Sequence, residues 1–516
     1  MAAESDPFQV AHPTAGCYSI EKHVKFSNQP IIPANPTGGV IPANFAGMQR
    51  FSEDADIDNP ARKMGYAFAL AVVFVRYSLL HEVLSYYTNS NLRILYLVSI
   101  PAALCLFASG SFMRRAFSAR APKYWLGFVV WLFICVPFST WRGDSASYAL
   151  TYLRTDLPVL MFLAAFPMTW KEVRGVLYTI AISGLVSVSF SKFFGTTYAG
   201  RTGLAFGTMA NPNDYAGQLI MVLPIVLFMV LRPMRILPPL RFMLQAAGVL
   251  AIGYGSYLIL ASGSRGAMLA IVASLLFAFI KARGAARIGL ILAVPVAASV
   301  LIAVIPASTL ERLRSFSSAP TSVDDGTAES TYMRRKLLMA SVYDTLSHPI
   351  FGLGPGQFEN YEGRTKSHNE GGFTGAHNSY TQISSETGLP GILMYLGGTL
   401  SAFFLLQRTW KLIAKMPQAK ELSLACFLLS ISMIGFCVAI FFLNFGYYFY
   451  LPSYTGLIIC LSAAVRREVA MVSSVPEPSQ APAFTAFTGR RPEPAWAVGK
   501  VQPVIAPNRF YPGTHR

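Results

Sequence analysis

The sequence predicts an all-α polytopic membrane protein of about twelve transmembrane helices with one large loop on the outer side, and three observations carry that prediction. Of its 516 residues, 53% are hydrophobic and only 13% charged, too apolar for a chain that must cover itself with a solvated surface. Apolar runs of about twenty residues recur, each long enough to cross roughly 30 Å of hydrocarbon as a helix. The basic residues fall in alternate loops, as the positive-inside rule expects of a chain threaded back and forth through a bilayer. The net charge of +17 is therefore read as topology and not as a surface for nucleic acid.

In chain order, residues 1–62 are polar and rich in Pro, Asn and Gly without periodicity, and read as a disordered cytoplasmic tail. The N-terminus lacks a basic segment followed by an apolar one, so no cleavable signal is expected and the first span directs insertion. Spans are expected near 66–86, 92–112, 123–140, 153–169, 174–194, 214–232, 242–261, 265–283, 287–306, 388–408, 422–442 and 444–465. The last two are parted only by Asn444 and Gly446. Loops with Arg114, Arg115 and Arg120, with Lys171 and Arg174, with Arg232, Arg235 and Arg241, with Lys281, Arg283 and Arg287, with Arg408, Lys411 and Lys420, and with Arg466 and Arg467 all share one side. That side is the cytoplasm, and both termini join it.

The opposite side receives the segments 140–152 and 195–213, the turn 262–264, and a loop of about 307–387. A loop of that length in a helical bundle is expected to be functional. Within it Leu338, Val342 and Leu346 recur at helical spacing before Pro349, predicting an amphipathic helix over 331–347 on the membrane surface. The Pro-rich 467–516 reads as a second cytoplasmic tail. Cys17 lies in the first tail and Cys105, Cys135, Cys426, Cys437 and Cys460 in apolar runs, so no disulfide framework or metal site is expected.

Three outer stretches carry residues suited to chemistry. Arg201 lies among small residues in GRTGLAFGTMANPNDYAG, where a guanidinium just outside the membrane is placed to grip a phosphate. Asn211, Asn213 and Asp214 suit a binding role or the plain work of capping the following helix. In ASGSRGAMLA, Ser264 and Arg265 open a span; free N–H groups and an arginine there form an anion site, or Arg265 is a snorkelling boundary residue. In GAHNSYTQISSETGLPGILMYL, His377 is the natural general base near neutral pH, with Asn378 beside it. Arg142, Arg154, Arg312, Arg314, Arg334 and Arg335 share this face, most of them read as solvated loop, with Arg142 kept as a substrate contact. Arg76 on the first span either meets substrate or pairs with Glu82. An Asp-x-Asp at 54–56 reads as solvated tail. No Walker loop, His-Glu-x-x-His or dinucleotide fingerprint occurs.

Taken in order, these stretches over about 195–395 resemble the O-antigen ligase and O-antigen polymerase superfamily. The most specific likeness is His377-Asn378, a nine-residue spacer, and Gly388-Leu389-Pro390-Gly391; SGSRG at 262–266 and HPIFGLGPGQF at 348–358 are similar to further family signatures. The resemblance implies a fold like that of the GT-C glycosyltransferases in a bacterial inner membrane. It also implies an inverting transferase without metal or other cofactor, acting at the periplasmic face. Its donor would be an undecaprenyl-diphosphate-linked glycan. By position, Arg201 and Arg265 would neutralise the leaving diphosphate and His377 would deprotonate or orient the acceptor hydroxyl. A lipid A core acceptor makes a ligase; another glycan makes a polymerase, and a protein hydroxyl a protein glycosyltransferase. A transporter or flippase is the rival of another class, but it predicts paired intramembrane charges and broken helices.

Overall fold

A computed structural model of the chain describes residues 56–90, 92–198, 201–304, 325–366, 374–414, 416 and 419–473. Most of both expected tails, with Cys17, Asp54, Arg312, Arg314, Asp324 and His368, lies outside the described residues. Among the described residues the chain is helical apart from one antiparallel hairpin. Helix α1 (Pro60–Ser78) starts on Asn59, whose side chain accepts from the Ala61 N–H. It bends by 67° into α2 (Leu80–Thr88) through Leu79, whose φ is 61°. Helices α3 (Ile94–Phe107) and α4 (Gly110–Ala116) meet at 105°, with Ser109 capping the second.

Helix α5 (Ala121–Cys135) is followed by α6 (Arg142–Thr151), a π turn (Tyr152–Asp156) and α7 (Leu157–Ala165). The segment 140–152, expected as a loop, is thus mostly helix. Pro158 cannot donate to the Arg154 carbonyl, and the turn before it widens instead of breaking. The widened turn presents Asp156 to Arg76 at 2.9 Å, so Arg76 pairs there and not with Glu82. Helix α8 (Trp170–Phe194) begins with a Thr169–Glu172 capping box. It leads into β1 (Gly195–Tyr198) and β2 (Arg201–Leu204), which pair Tyr198 with Arg201 at the turn. Then come α9 (Pro212–Leu231), α10 (Pro238–Ala261), α11 (Arg265–Lys281), α12 (Ala285–Val304), α13 (Asp325–Ser347), α14 (Ser379–Ile413), α15 (Lys420–Ala439) and α16 (Tyr450–Ser473).

A helix therefore occupies each of the twelve expected places, but among the described residues six are long and apolar enough to cross a membrane, or eight if each bent pair is one span. Helix α16 illustrates why the rest differ. It packs against α7, α14 and α8 and is buried from Tyr450 to Ser462, so neighbouring protein, and not lipid, sets what it can carry. Its hydroxyls are matched across the bundle: Ser453 bonds Tyr77 at 2.6 Å, and Thr455 accepts from the Trp125 indole at 2.9 Å.

Helix α13 begins at Asp325, earlier than the periodicity suggested. Leu338, Val342 and Leu346 are exposed, while Leu337, Ser341, Asp344 and Thr345 are buried on the helix's contact with α14. Thr345 is joined to Ser384 at 2.8 Å.

The glycine-rich strap 348–358 and the break in α14 are one unit. Gly388 leaves helical geometry (φ 69°, ψ −174°), freeing carbonyls that must find donors. Ser385 and Glu386 accept from the N–H groups of Leu353 and Gly354, and Thr387 from the Trp131 indole, at 2.8 to 2.9 Å. The Glu386 carboxylate in turn accepts from the N–H groups of Gly356 and Phe358. Gly352 (φ 66°) lies so close that an added Cβ would sit 2.3 Å from the Glu386 carbonyl carbon. Gly352→Ala is therefore expected to destabilise the fold by more than about 1 kcal/mol, read as a lowered thermal midpoint of the detergent-solubilised protein. An unchanged midpoint would show that the strap does not hold the break.

Candidate functional site

The site forms where α8 and α10 end and α9, α11 and α14 begin. Asn211 caps α9, its side chain accepting from the Asn213 N–H at 3.0 Å, so both asparagines do shape the helix start. Asn213, 4% exposed, then accepts from the Arg201 Nη2 at 2.5 Å. The Arg201 Nε donates to the Ser262 carbonyl at 2.7 Å. The guanidinium is thus held from two sides, which fixes a fork that a flexible arginine would otherwise sweep through solvent.

The SGSRG turn supplies that second hold. Gly263 takes a φ of 59°, turning the Ser262 carbonyl toward Arg201, and the Ser264 hydroxyl caps α11 by accepting from the Ala267 N–H. Arg265 is half-buried and does not line the cavity described next. Gly266 follows it because an added Cβ would sit 2.5 Å from the Phe442 ring.

A cavity of about 310 Å³ is lined by Arg201, Asn211, Asn213, Met333, Arg334, Leu337, Thr374 and His377. Four of these, Arg201, Asn211, Asn213 and His377, are residues that the sequence singled out. Arg334, read as solvated loop, enters from α13 with Met333 and Leu337. Its signal was present in the sequence: 334, 337, 341 and 345 recur at helical spacing, one position behind the apolar stripe of Leu338, Val342 and Leu346.

His377 stands directly before α14 with a φ of 51°, and its N–H donates to the Asn444 Oδ1 at 2.6 Å. Burial, and then the Arg334 guanidinium, hold its imidazole down at about 4, so it is neutral and able to take a proton at neutral pH. Asn378 is the cap of α14, accepting from the N–H groups of Tyr380 and Thr381; it does not line the cavity. Nor do Ser264 and Arg142, the latter exposed at the start of α6. The loop behind Arg201 is tied down by Glu82, whose carboxylate accepts from the Thr208 N–H at 2.9 Å and hydroxyl at 2.7 Å. The sequence offers Glu82 only as one possible partner of Arg76 and carries no sign of this contact.

Fold and site together define a multi-pass α-helical membrane protein with a cationic, histidine-bearing cavity at its helix ends. Residues 249–396 match the family model described as O-antigen ligase, so that segment of the chain is similar to this family. The match runs from α10 into α14, taking in SGSRG, Arg334, the glycine strap and His377, and stops short of Arg201 on its N-terminal side. It indicates glycan transfer of the ligase or polymerase type, with lipid-linked and glycan substrates in a bilayer. No curated protein matches the chain.

Proposed function

We propose that the chain transfers a glycan from undecaprenyl diphosphate to an acceptor hydroxyl at the periplasmic face of a bacterial inner membrane, with inversion at the transferred sugar. The observation that carries this reading is that Arg201, Arg334 and His377, from three separate segments, line one cavity. The acceptor oxygen attacks the anomeric carbon as the bond to the diphosphate breaks. His377 takes the acceptor's proton, and the diphosphate leaves with its charge between the two guanidiniums. Among the described residues the lining holds two arginines and no carboxylate, a setting that repels a divalent cation and attracts a diphosphate. On this reading no metal takes part, and the energy resides in the donor.

This reading assigns the leaving group to Arg201 and Arg334 in place of Arg201 and Arg265. Arg265 directly follows the turn whose Ser262 carbonyl holds Arg201. The exposed Leu338, Val342 and Leu346 of α13 rest on the outer leaflet, which brings Arg334 to the level of a lipid head group. The nine-residue spacing from His377-Asn378 to the glycine turn favours lipid A core as the acceptor, hence a ligase, over a growing glycan.

The purified protein in proteoliposomes, given lipid-diphosphate-linked oligosaccharide and acceptor, is expected to form product without nucleotide sugar and in the presence of a chelator. Complementation of strains lacking a ligase and, separately, a polymerase then distinguishes the acceptors. A chelator-abolished reaction would overturn the metal-free mechanism. Reporter fusions placing 325–366 in the cytoplasm would overturn the sidedness.

A further inference from the structure

We infer that Asn444 is a positioning residue that fixes His377 in its left-handed backbone conformation over the cavity. The inference deepens the proposed function and rests on His377 being the proton acceptor. In the sequence, Asn444 is notable only as a polar break between two apolar runs. In the fold that break does a particular job. The chain leaves α15 through one 3-10 turn (Ile440–Phe442) and becomes extended at Leu443, presenting the Asn444 amide to the start of α14.

A histidine at a φ of 51° occupies a region that L-residues avoid unless their surroundings impose it. The imposing contact is the His377 N–H donating to the Asn444 Oδ1 at 2.6 Å. The other face of the same amide is closed by Gly375, where an added Cβ would sit 2.1 Å from the Asn444 Nδ2. Asn444 is itself held. The Ser379 hydroxyl donates to the Leu443 carbonyl at 2.7 Å and accepts from the Phe445 N–H at 2.8 Å, clamping the residues on either side. Ser379 is completely buried. The geometry is therefore a seam in which α14 begins only after its preceding residue has been turned, and the turn is what aims the His377 ring into the cavity and away from the helix axis.

The contact reaches the backbone of His377 and not its ring, so Asn444 acts through the position of the imidazole. Asn444→Ala in the full-length protein is expected to lower kcat about 10²-fold, the cost of misplacing a reacting group by about 1 Å, with the donor KM unchanged because Arg201 and Arg334 are untouched. Asn444→Asp, which keeps an oxygen acceptor, is expected to restore most of kcat. In a His377→Ala background Asn444→Ala is expected to cost nothing further. Gly375→Ala, which displaces the amide while leaving Asn444 in place, is expected to reproduce the kcat loss and serves if Asn444→Ala fails to accumulate. Full kcat in Asn444→Ala or Gly375→Ala, or an equal additional loss in the His377→Ala background, overturns the inference. Full transfer by His377→Ala alone overturns the underlying reading of the site instead.

Discussion

Replacing His377 by alanine is expected to lower the turnover of glycan transfer by about two to four orders of magnitude, the usual worth of a positioned general base. Donor affinity is expected to change little, because the charged contacts to a diphosphate come from Arg201 and Arg334 and not from the imidazole. The same reasoning fixes a pH dependence. In the free protein burial and Arg334 hold His377 down at about 4, so the neutral, proton-accepting form prevails at all pH values above that and is lost only as pH falls through it. The acid limb of kcat/KM, which reports the free enzyme, is thus expected near 4 and not near the ordinary histidine value. Removing the Arg334 charge takes away one of the two causes. The limb in Arg334→Ala is expected to move upward, by less than the full distance because burial remains. A wild-type limb near the ordinary histidine value, or a limb unmoved in Arg334→Ala, would detach His377 from the proton transfer.

The fold was legible in the sequence where hydrophobicity alone decides. An apolar run in a bilayer satisfies its backbone as a helix, and among the described residues a helix stands at each expected place, but only six to eight are long and apolar enough to count as spans. Bends were less legible: the π turn before Pro158 was not foreseen, and nothing marks Leu79 as the residue that takes a left-handed conformation and turns α1 through 67°. Of the residues that line the cavity, Arg201 and His377 stand out in the sequence because each sits at a boundary with small or polar company. Arg334 could not be separated from Arg335, since which of two adjacent arginines faces the bundle depends on how α13 is rotated. That rotation is set by the burial of Leu337 and Ser341 and the Thr345–Ser384 contact, and the stripe of Leu338, Val342 and Leu346 pointed one position away. The place of Arg265 at a helix start supports an anion site on general grounds, whereas the hold of the neighbouring Ser262 carbonyl on Arg201 shows only in the fold.

That difference between arginines sets the second large expectation. Arg201→Ala and Arg334→Ala are each expected to cost about 10²- to 10³-fold in kcat, the range seen when one donor to a developing anion is removed, and to weaken competition by inorganic pyrophosphate. Arg201→Lys is expected to fall close to Arg201→Ala. The guanidinium uses Nε on the Ser262 carbonyl and Nη2 on Asn213, and an ammonium cannot occupy both while still facing the cavity. Arg334→Lys, on a helix whose rotation already aims it inward, is expected to retain more. Arg265→Ala is expected to act less on kcat than either, and chiefly through the turn that orients Arg201. Its effect should therefore shrink when Arg201 is already alanine, since residues acting through one group are not additive. Measured by turnover and by pyrophosphate inhibition across the single and double variants, a dominant loss from Arg265→Ala that persists without Arg201 would move the diphosphate to the start of α11 and away from the α13 side of the cavity.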